Sequence, residues 1–274
     1  MGTRIAVIGY GEVGRIFTAD LLAAGAERVA TFDILFRGAD GERLRGVART
    51  AGVLAADSAE EACRDADVVI SAVTASSAED VAVGLAPALR PGQMLLDVNS
   101  ASPSTKARSA ERVVAAGASF VEGAVMASVP GPRLRVPILG GGPDAEKAAA
   151  LLNPLGMNIT PVSTEVGRAS ATKLCRSIII KGLEALLIDC ATAGERWGVA
   201  DDVFASLSAT FPSVDWKQLS VDMPTRVRAH GIRRAAEMRE AAQMLEELGL
   251  SPDLALAVAD RQQANAAAKP AAHE

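Results

Sequence analysis

The sequence predicts an α/β protein in two parts: a doubly wound, mostly parallel sheet, then an all-α domain joined to it by a long helix. Three observations predict it. Short, near-continuous apolar runs alternate with helical stretches up to about Ser163, the pattern of strands covered on both faces. A glycine-rich turn joins the first run to the first helical stretch. Beyond Ser163 the alternation stops and only helical periodicity remains.

Arg4–Gly9 is the first apolar run, followed by a helix from Glu12 to about Ala24 that ends near Gly25. Arg28–Asp33 is the second run. Further strands are expected at Asp67–Val73, Met94–Asn99, Phe120–Val125, Val136–Leu139 and Asn158–Val162, with helices between them such as Ser77–Leu89 and Pro103–Ala116. From Gly167 to about Arg196 no proline intervenes, and Leu174, Ile178, Leu183, Leu186 and Leu187 recur at helical spacing. A helix of ~28 residues is about 42 Å long, more than a small domain is wide. It is apolar on more than one side, around Ile178–Ile180 and Leu186–Ile188, and therefore needs partners on several faces. The remaining chain offers helices near Val203–Leu207, Thr225–Leu248 and Asp253–Asn265. The expected boundary gives a nucleotide-binding domain over 1–163 and a helical substrate and dimerisation domain over 164–274. The excess apolar surface of the second predicts a homodimer. Ala264–Glu274, with Lys269-Pro270, is expected to fray, and His273 within it to be inert.

Composition bounds the function. The chain has 274 residues, 49% hydrophobic and 22% charged, which fits a soluble globular protein with a sizeable core. Aromatics are only 3% and the formal net charge is −5, which argues against a nucleic-acid partner, since stacking rings and a basic excess are missing. Cys63, Cys175 and Cys190 are odd in number, widely spaced and match no zinc spacing, so neither a disulfide framework nor a metal site is expected. No basic segment leads into an apolar one at the start, and no run approaches 18 apolar residues. A cytoplasmic protein without membrane contact follows as the expectation.

Gly9-Tyr-Gly11-Glu-Val-Gly14 fits G-x-G-x-x-G in the right context, after a strand and opening a helix, with Asp33 closing the next strand. In this Rossmann fingerprint Gly9 permits the tight turn, Gly11 lets backbone N–H groups approach a pyrophosphate, and Gly14 lets the helix pack on the strand. Tyr10, Glu12 and Val13 complete the turn. The Asp33 carboxylate accepts from ribose hydroxyls and repels a 2′-phosphate, which favours NAD; NADP stays open because Arg37 follows four residues on.

Later segments carry a family resemblance. Asp67-Val-Val-Ile-Ser-Ala-Val73 looks like a strand ending beside a cofactor. Asp97-Val-Asn-Ser-Ala-Ser-Pro103 looks like a D-x-[ST]-[ST]-x-x-P segment, with Asn99 departing at the third position. Glu122–Ser128 stands where relatives carry D-A-P-V-S-G-G, Gly140–Gly142 closes the following strand, and Gly167-Arg-Ala-Ser-Ala-Thr-Lys173 is similar to a G-x-G-x-x-x-K signature with Ala169 in place of its second glycine. On these motifs the chain resembles the β-hydroxyacid dehydrogenase superfamily, which includes 6-phosphogluconate and 3-hydroxyisobutyrate dehydrogenases. Lys173–Leu187 and His230–Met238 narrow this to a subgroup with a C-terminal domain of unknown function. The resemblance implies hydride transfer between a nicotinamide and a small β-hydroxy acid or related polar alcohol. Lys173 would be the general acid/base, and Val73, Thr74 and Asn99 would be further cofactor contacts.

The residues themselves support such chemistry. A lysine early in an apolar helix serves as base when its surroundings favour the neutral amine. Asn99 and Ser100 stand at a strand's carboxyl end, where doubly wound sheets bind ligands. Ser128 follows another such end. Ser177 lies at i+4 from Lys173, where relatives hold substrate with an asparagine. Ile180 lies at i+7, where decarboxylating relatives place a glutamate, so a decarboxylation that needs this acid is disfavoured. Glu184 is expected to pair with Lys181. His230, Arg233, Arg234 and Glu237 form one helical stripe whose two arginines would clamp an anionic substrate. Two alternatives remain: an imine reductase-like enzyme, disfavoured because such enzymes lack a lysine at the Lys173 position, and a non-catalytic dinucleotide-binding sensor or scaffold.

Overall fold

The computed structural model describes residues 2–267. Its first compact unit ends at Lys173 and its second begins at Leu174. The strands of the first unit are β1 (Arg4–Ile8), β2 (Arg28–Phe32), β3 (Leu54–Ala55), β4 (Val68–Ser71), β5 (Met94–Asp97), β6 (Ser119–Val125), β7 (Pro137–Gly141) and β8 (Asn158–Ser163). They form one sheet in the order β3-β2-β1-β4-β5-β6-β7-β8, parallel from β3 to β6. β7 runs antiparallel to β6, and β8 parallel to β7. The order turns back between β1 and β4, the place beyond whose carboxyl ends doubly wound sheets bind ligands. Every predicted strand is present. The two-residue β3, too short to show a period, is the addition.

The helices of this unit are α1 (Glu12–Ala23), α2 (Gly41–Thr50), α3 (Ala59–Cys63), α4 (Ala78–Leu85), α5 (Pro103–Ala115) and α6 (Ala145–Leu152). Local chemistry sets their starts. Ser58 Oγ accepts from Glu61 N at 3.1 Å to cap α3, and Ser102 Oγ accepts from Thr105 N at 3.3 Å to cap α5, with Pro103 as its first residue. The core is the sheet interior, with Ile5, Val7, Val69, Ile70, Leu95, Leu96 and Val121 buried among Phe17, Leu21, Val113 and Leu152.

Helix α7 (Arg168–Trp197) has 30 residues, about 45 Å of rise. Its first turn belongs to the first unit, so the compact units divide ten residues after the expected boundary at 163. Hydrogen bonds from that turn to β6 hold it there. The second unit contains the rest of α7 with α8 (Ala200–Thr210), α9 (Trp216–Glu247) and α10 (Asp253–Ala267). Leu187, Phe204 and Met223 form a small core with Leu183, Leu207, Trp216 and Leu219, while α9 and α10 pack along their length. Helix α9 begins nine residues before the expected Thr225. Pro224 lies inside it, and Asp215 caps the true start by accepting from Gln218 N at 2.9 Å. Ala264–Ala267 continue α10 rather than fraying. Residues 268–274, His273 included, lie outside the described residues. Among the described residues no helix is long and apolar enough to cross a membrane.

Candidate active site

The turn after β1 is shaped by contacts of its own backbone. Gly9 has φ +98°, and a Cβ there would meet the Ala72 carbonyl oxygen at 2.4 Å. A Cβ on Gly14 would lie 1.9 Å from the Gly9 carbonyl oxygen. Gly11 differs: a Cβ would meet nothing within 4 Å, so the chain's own packing does not require this glycine. It stands exposed at the start of α1 and makes no side-chain cap, as expected where a pyrophosphate approaches the backbone. The residues present fit a dinucleotide. Glu12 is exposed beside Gly11, and Val13 is half-buried against the core.

Asp33 follows β2. Its Oδ2 accepts from Tyr10 N at 2.6 Å and its Oδ1 from Leu35 N at 2.9 Å. Each oxygen keeps a further lone pair, which leaves the carboxylate able to accept from a ribose hydroxyl. The Tyr10 ring is buried edge-on against Phe36 at 5.7 Å, so the core holds this side chain and only its backbone lines the turn. The Arg37 guanidinium sits 5.4 Å from the Phe32 ring centroid, at the same strand end as Asp33.

At the carboxyl ends of β4 and β5 the central residue is Asn99. Its Oδ1 accepts from Val73 N at 2.7 Å, and its Nδ2 donates to Ser71 Oγ at 2.9 Å and Asp97 Oδ1 at 2.6 Å. Both amide hydrogens are therefore used. The Asn99 side chain ties the two strand ends together. Beneath it Lys106 and Asp97 form a fully buried pair at 3.0 Å, and Lys106 Nζ also donates to the Asp97 carbonyl at 2.9 Å. Thr74 is exposed and shares hydrogen bonds with Ser76 and Ser77 at 3.2 and 2.9 Å.

Ser100, next on this loop, is half-buried, and its Oγ is in hydrogen-bond contact with Lys173 Nζ. Lys173 is only 8% exposed. The structure thus brings together two of the predicted residues at the crevice side of the sheet. Ser128 is exposed, three residues beyond the end of β6. Glu122, in the middle of β6, was not singled out from the sequence. It is fully buried and accepts from Gly167 N, Ala169 N and Ser170 at the start of α7. An acidic residue inside an otherwise apolar strand was the available signal.

In the helical unit several expectations change. Ser177 does not present a free hydroxyl: it donates to Glu237 Oε1 at 2.6 Å and accepts from Lys181 Nζ at 3.1 Å. Lys181 pairs with Glu237 at 3.0 Å, not with Glu184. Burial pushes the Lys181 ammonium below the usual lysine range, and Glu237 beside it pulls the other way. Glu184, fully buried, is held by Arg234 at 2.9 Å and by Gln262 Nε2 at 3.0 Å. Arg234 thus pairs through Nη1 with a buried carboxylate. A buried acid without its cation is costly, so the interior claims the arginine. Arg233 remains exposed and His230 half-buried on the same helix.

Comparison with known proteins agrees with this architecture. Residues 4–101 match the family described as NADP oxidoreductase, coenzyme F420-dependent, and residues 195–264 match a domain of unknown function, DUF1932. A conserved hypothetical protein of Sinorhizobium meliloti 1021 is 38% identical, with a TM-score of 0.83 over 100% of this chain and 92% of its own. The conserved protein MTH1747, described as structurally similar to 3-hydroxyacid dehydrogenases, is 31% identical with a TM-score of 0.76, over 96% of this chain and 97% of its own. The 3-hydroxyisobutyrate dehydrogenase of Pseudomonas aeruginosa is 28% identical over 222 residues, 78% of this chain and 72% of its own length. With its glycine turn, its strand-end loops and its helical second unit, the chain belongs to the β-hydroxyacid dehydrogenase-like superfamily of NAD(P) oxidoreductases, in a branch ending in a helical domain of unknown function.

Proposed function

We propose that the chain is an NAD-dependent dehydrogenase of a small β-hydroxy acid or related polar alcohol, with Lys173 as general acid/base. The observation that carries this reading is the contact of Lys173 Nζ with Ser100 Oγ at the carboxyl ends of the parallel strands. A bound nicotinamide supplies the hydride acceptor. Alcohol oxidation also needs a base for the hydroxyl proton. Neutral Lys173 takes that proton on Nζ and later returns it to water, while Ser100 orients the substrate oxygen toward the amine. In the reverse direction the ammonium gives its proton to the carbonyl oxygen. Asp33 favours NAD over NADP, because a carboxylate that accepts from ribose hydroxyls repels a 2′-phosphate.

The test is turnover of serine, 3-hydroxyisobutyrate and phosphorylated and aromatic hydroxy acids with NAD, by the native chain and by Lys173→Ala. Loss of an acid/base group lowers kcat by about 10²–10⁴-fold with cofactor affinity retained. A Lys173→Ala variant that turns over every accepted acid at near the native rate sinks the reading.

We further infer that two copies associate through their helical units. Ile179, Leu186 and Trp197 on α7 and Ile232 on α9 are 70%, 68%, 83% and 75% exposed, and the three on α7 fall at i, i+7 and i+18, one face of that helix. Light scattering of the native chain and of Leu186→Asp distinguishes a dimer split by the charge from a chain that is monomeric throughout.

A further inference from the structure

Glu122 is a buried carboxylate that the proposed mechanism does not use. It lies opposite Asp97 on β5 and Gly141 on β7. Its Oε1 accepts from Gly167 N at 2.7 Å and Ala169 N at 3.0 Å, and its Oε2 from Ser170 N at 3.3 Å and Ser170 Oγ at 2.5 Å. All four donors belong to the start of α7. The first N–H groups of a helix have no partner within it, and the same end carries partial positive charge. These bonds offset the cost of burying an ionised carboxyl group. Room for it comes from Gly141, where a Cβ would lie 2.3 Å from Oε1.

Lys173 follows Ala169 by four residues and Ser170 by three, so it stands one turn above the anchored residues on the same side of the helix. Fixing that turn fixes the rise and rotation at Lys173. The other member of the contact hangs from the neighbouring strand: Asp97, paired in register with Glu122, precedes Ser100 by three residues. One rung of the sheet thus sets the position of both groups. We propose that Glu122 is a positioning residue that aims Lys173 at Ser100, acting through the first turn of α7. The proposal rests on reading Lys173 as the acid/base for its functional meaning, not for its geometry. Glutamine keeps an acceptor oxygen for Gly167 N and Ala169 N but turns its NH2 toward Ser170 N and loses the charge, so it replaces the carboxylate only in part, whereas aspartate keeps the charge on a shorter arm.

Competitive acetylation of the full-length chain with acetic anhydride, read by peptide mass spectrometry, tests the positioning without a substrate. Labelling is compared at Lys173, at Lys106, which is buried in the same unit, and at exposed Lys217. Glu122→Gln is expected to raise labelling of Lys173 about tenfold while Lys106 and Lys217 stay unchanged, and Glu122→Asp to restore most of the protection. Ser170→Ala, which removes only the hydroxyl contact, is expected to raise it about two- to threefold, and decides the matter if Glu122→Gln does not fold. With an accepted hydroxy acid, Glu122→Gln is expected to lower kcat about tenfold with the KM for NAD unchanged. Unchanged labelling of Lys173 in the folded variants overturns the proposal. So does a rise at Lys106 equal to that at Lys173, which would mean general loosening. Turnover by Lys173→Ala judges the acid/base reading separately, so the two failures are told apart.

Discussion

Gly14 and Gly11 answer to different demands. A methyl group on Gly14 collides with backbone, so Gly14→Ala is expected to cost about 1–3 kcal/mol and to lower the Tm. Gly11→Ala meets nothing within the chain and is expected to leave the Tm nearly unchanged while weakening NAD binding about tenfold or more, about 1.4 kcal/mol. Thermal melts and calorimetric titration of the two variants check both halves. Beneath the strand ends, Lys106→Met leaves Asp97 buried without its cation and is expected to cost about 3–5 kcal/mol, measured by urea denaturation. The glycine turn was legible in the sequence because its geometry is local, spread over six residues. The side-chain partners of Asn99 were not, because Ser71, Val73 and Asp97 come from two strand ends that only the folded sheet brings side by side.

Among the elements, α9 and α10 approach closely at Gly231, where a Cβ would meet the Gln262 carbonyl oxygen at 2.4 Å and the Ala266 Cβ at 2.7 Å. Gly231→Ala must separate the two helices and is expected to cost about 1–3 kcal/mol, seen as a lower urea midpoint. The packing of α7 against α9 is polar at its centre: Ser177, Lys181 and Glu237 form one cluster, Glu184 and Arg234 the next. Helical spacing correctly groups Ser177, Lys181 and Glu184 on one side, and Arg234 with Glu237 on another helix. It cannot say that the two groups face each other, which is why the pairing of Arg234 with Glu184 and of Glu237 with Ser177 and Lys181 was not legible. The start of α9 was hidden for a related reason. A proline ordinarily marks a helix's first turn, and only the capping Asp215 reveals that Pro224 lies further in.

For the whole molecule, pH and thiol chemistry give separate readouts. The Arg4 guanidinium, hydrogen-bonded to Asp67 at 2.7 Å, holds that carboxyl below the usual carboxylate range. A folded-state value below the unfolded one gives stability that is present above about pH 4 and lost as the pH falls through the folded value. Asp67→Asn is expected to flatten that acid limb, and urea midpoints between about pH 3 and 5 will show it. Burial pushes the Cys63 thiol up to about 12, whereas Cys175 is exposed. Titration of the native chain with a thiol reagent near neutral pH should modify Cys175 and spare Cys63 until unfolding.

The last strand has a consequence for how copies of the chain can meet. At one border of the sheet β3 offers only two residues, too few to template a neighbour. At the other, Pro161 removes a donor from β8, and an irregularity opposite Gly140 and Gly141 breaks its regular ladder. Both borders are therefore poor templates for a strand from another molecule. Growth of the sheet from chain to chain is thus disfavoured at both borders, each by a different device.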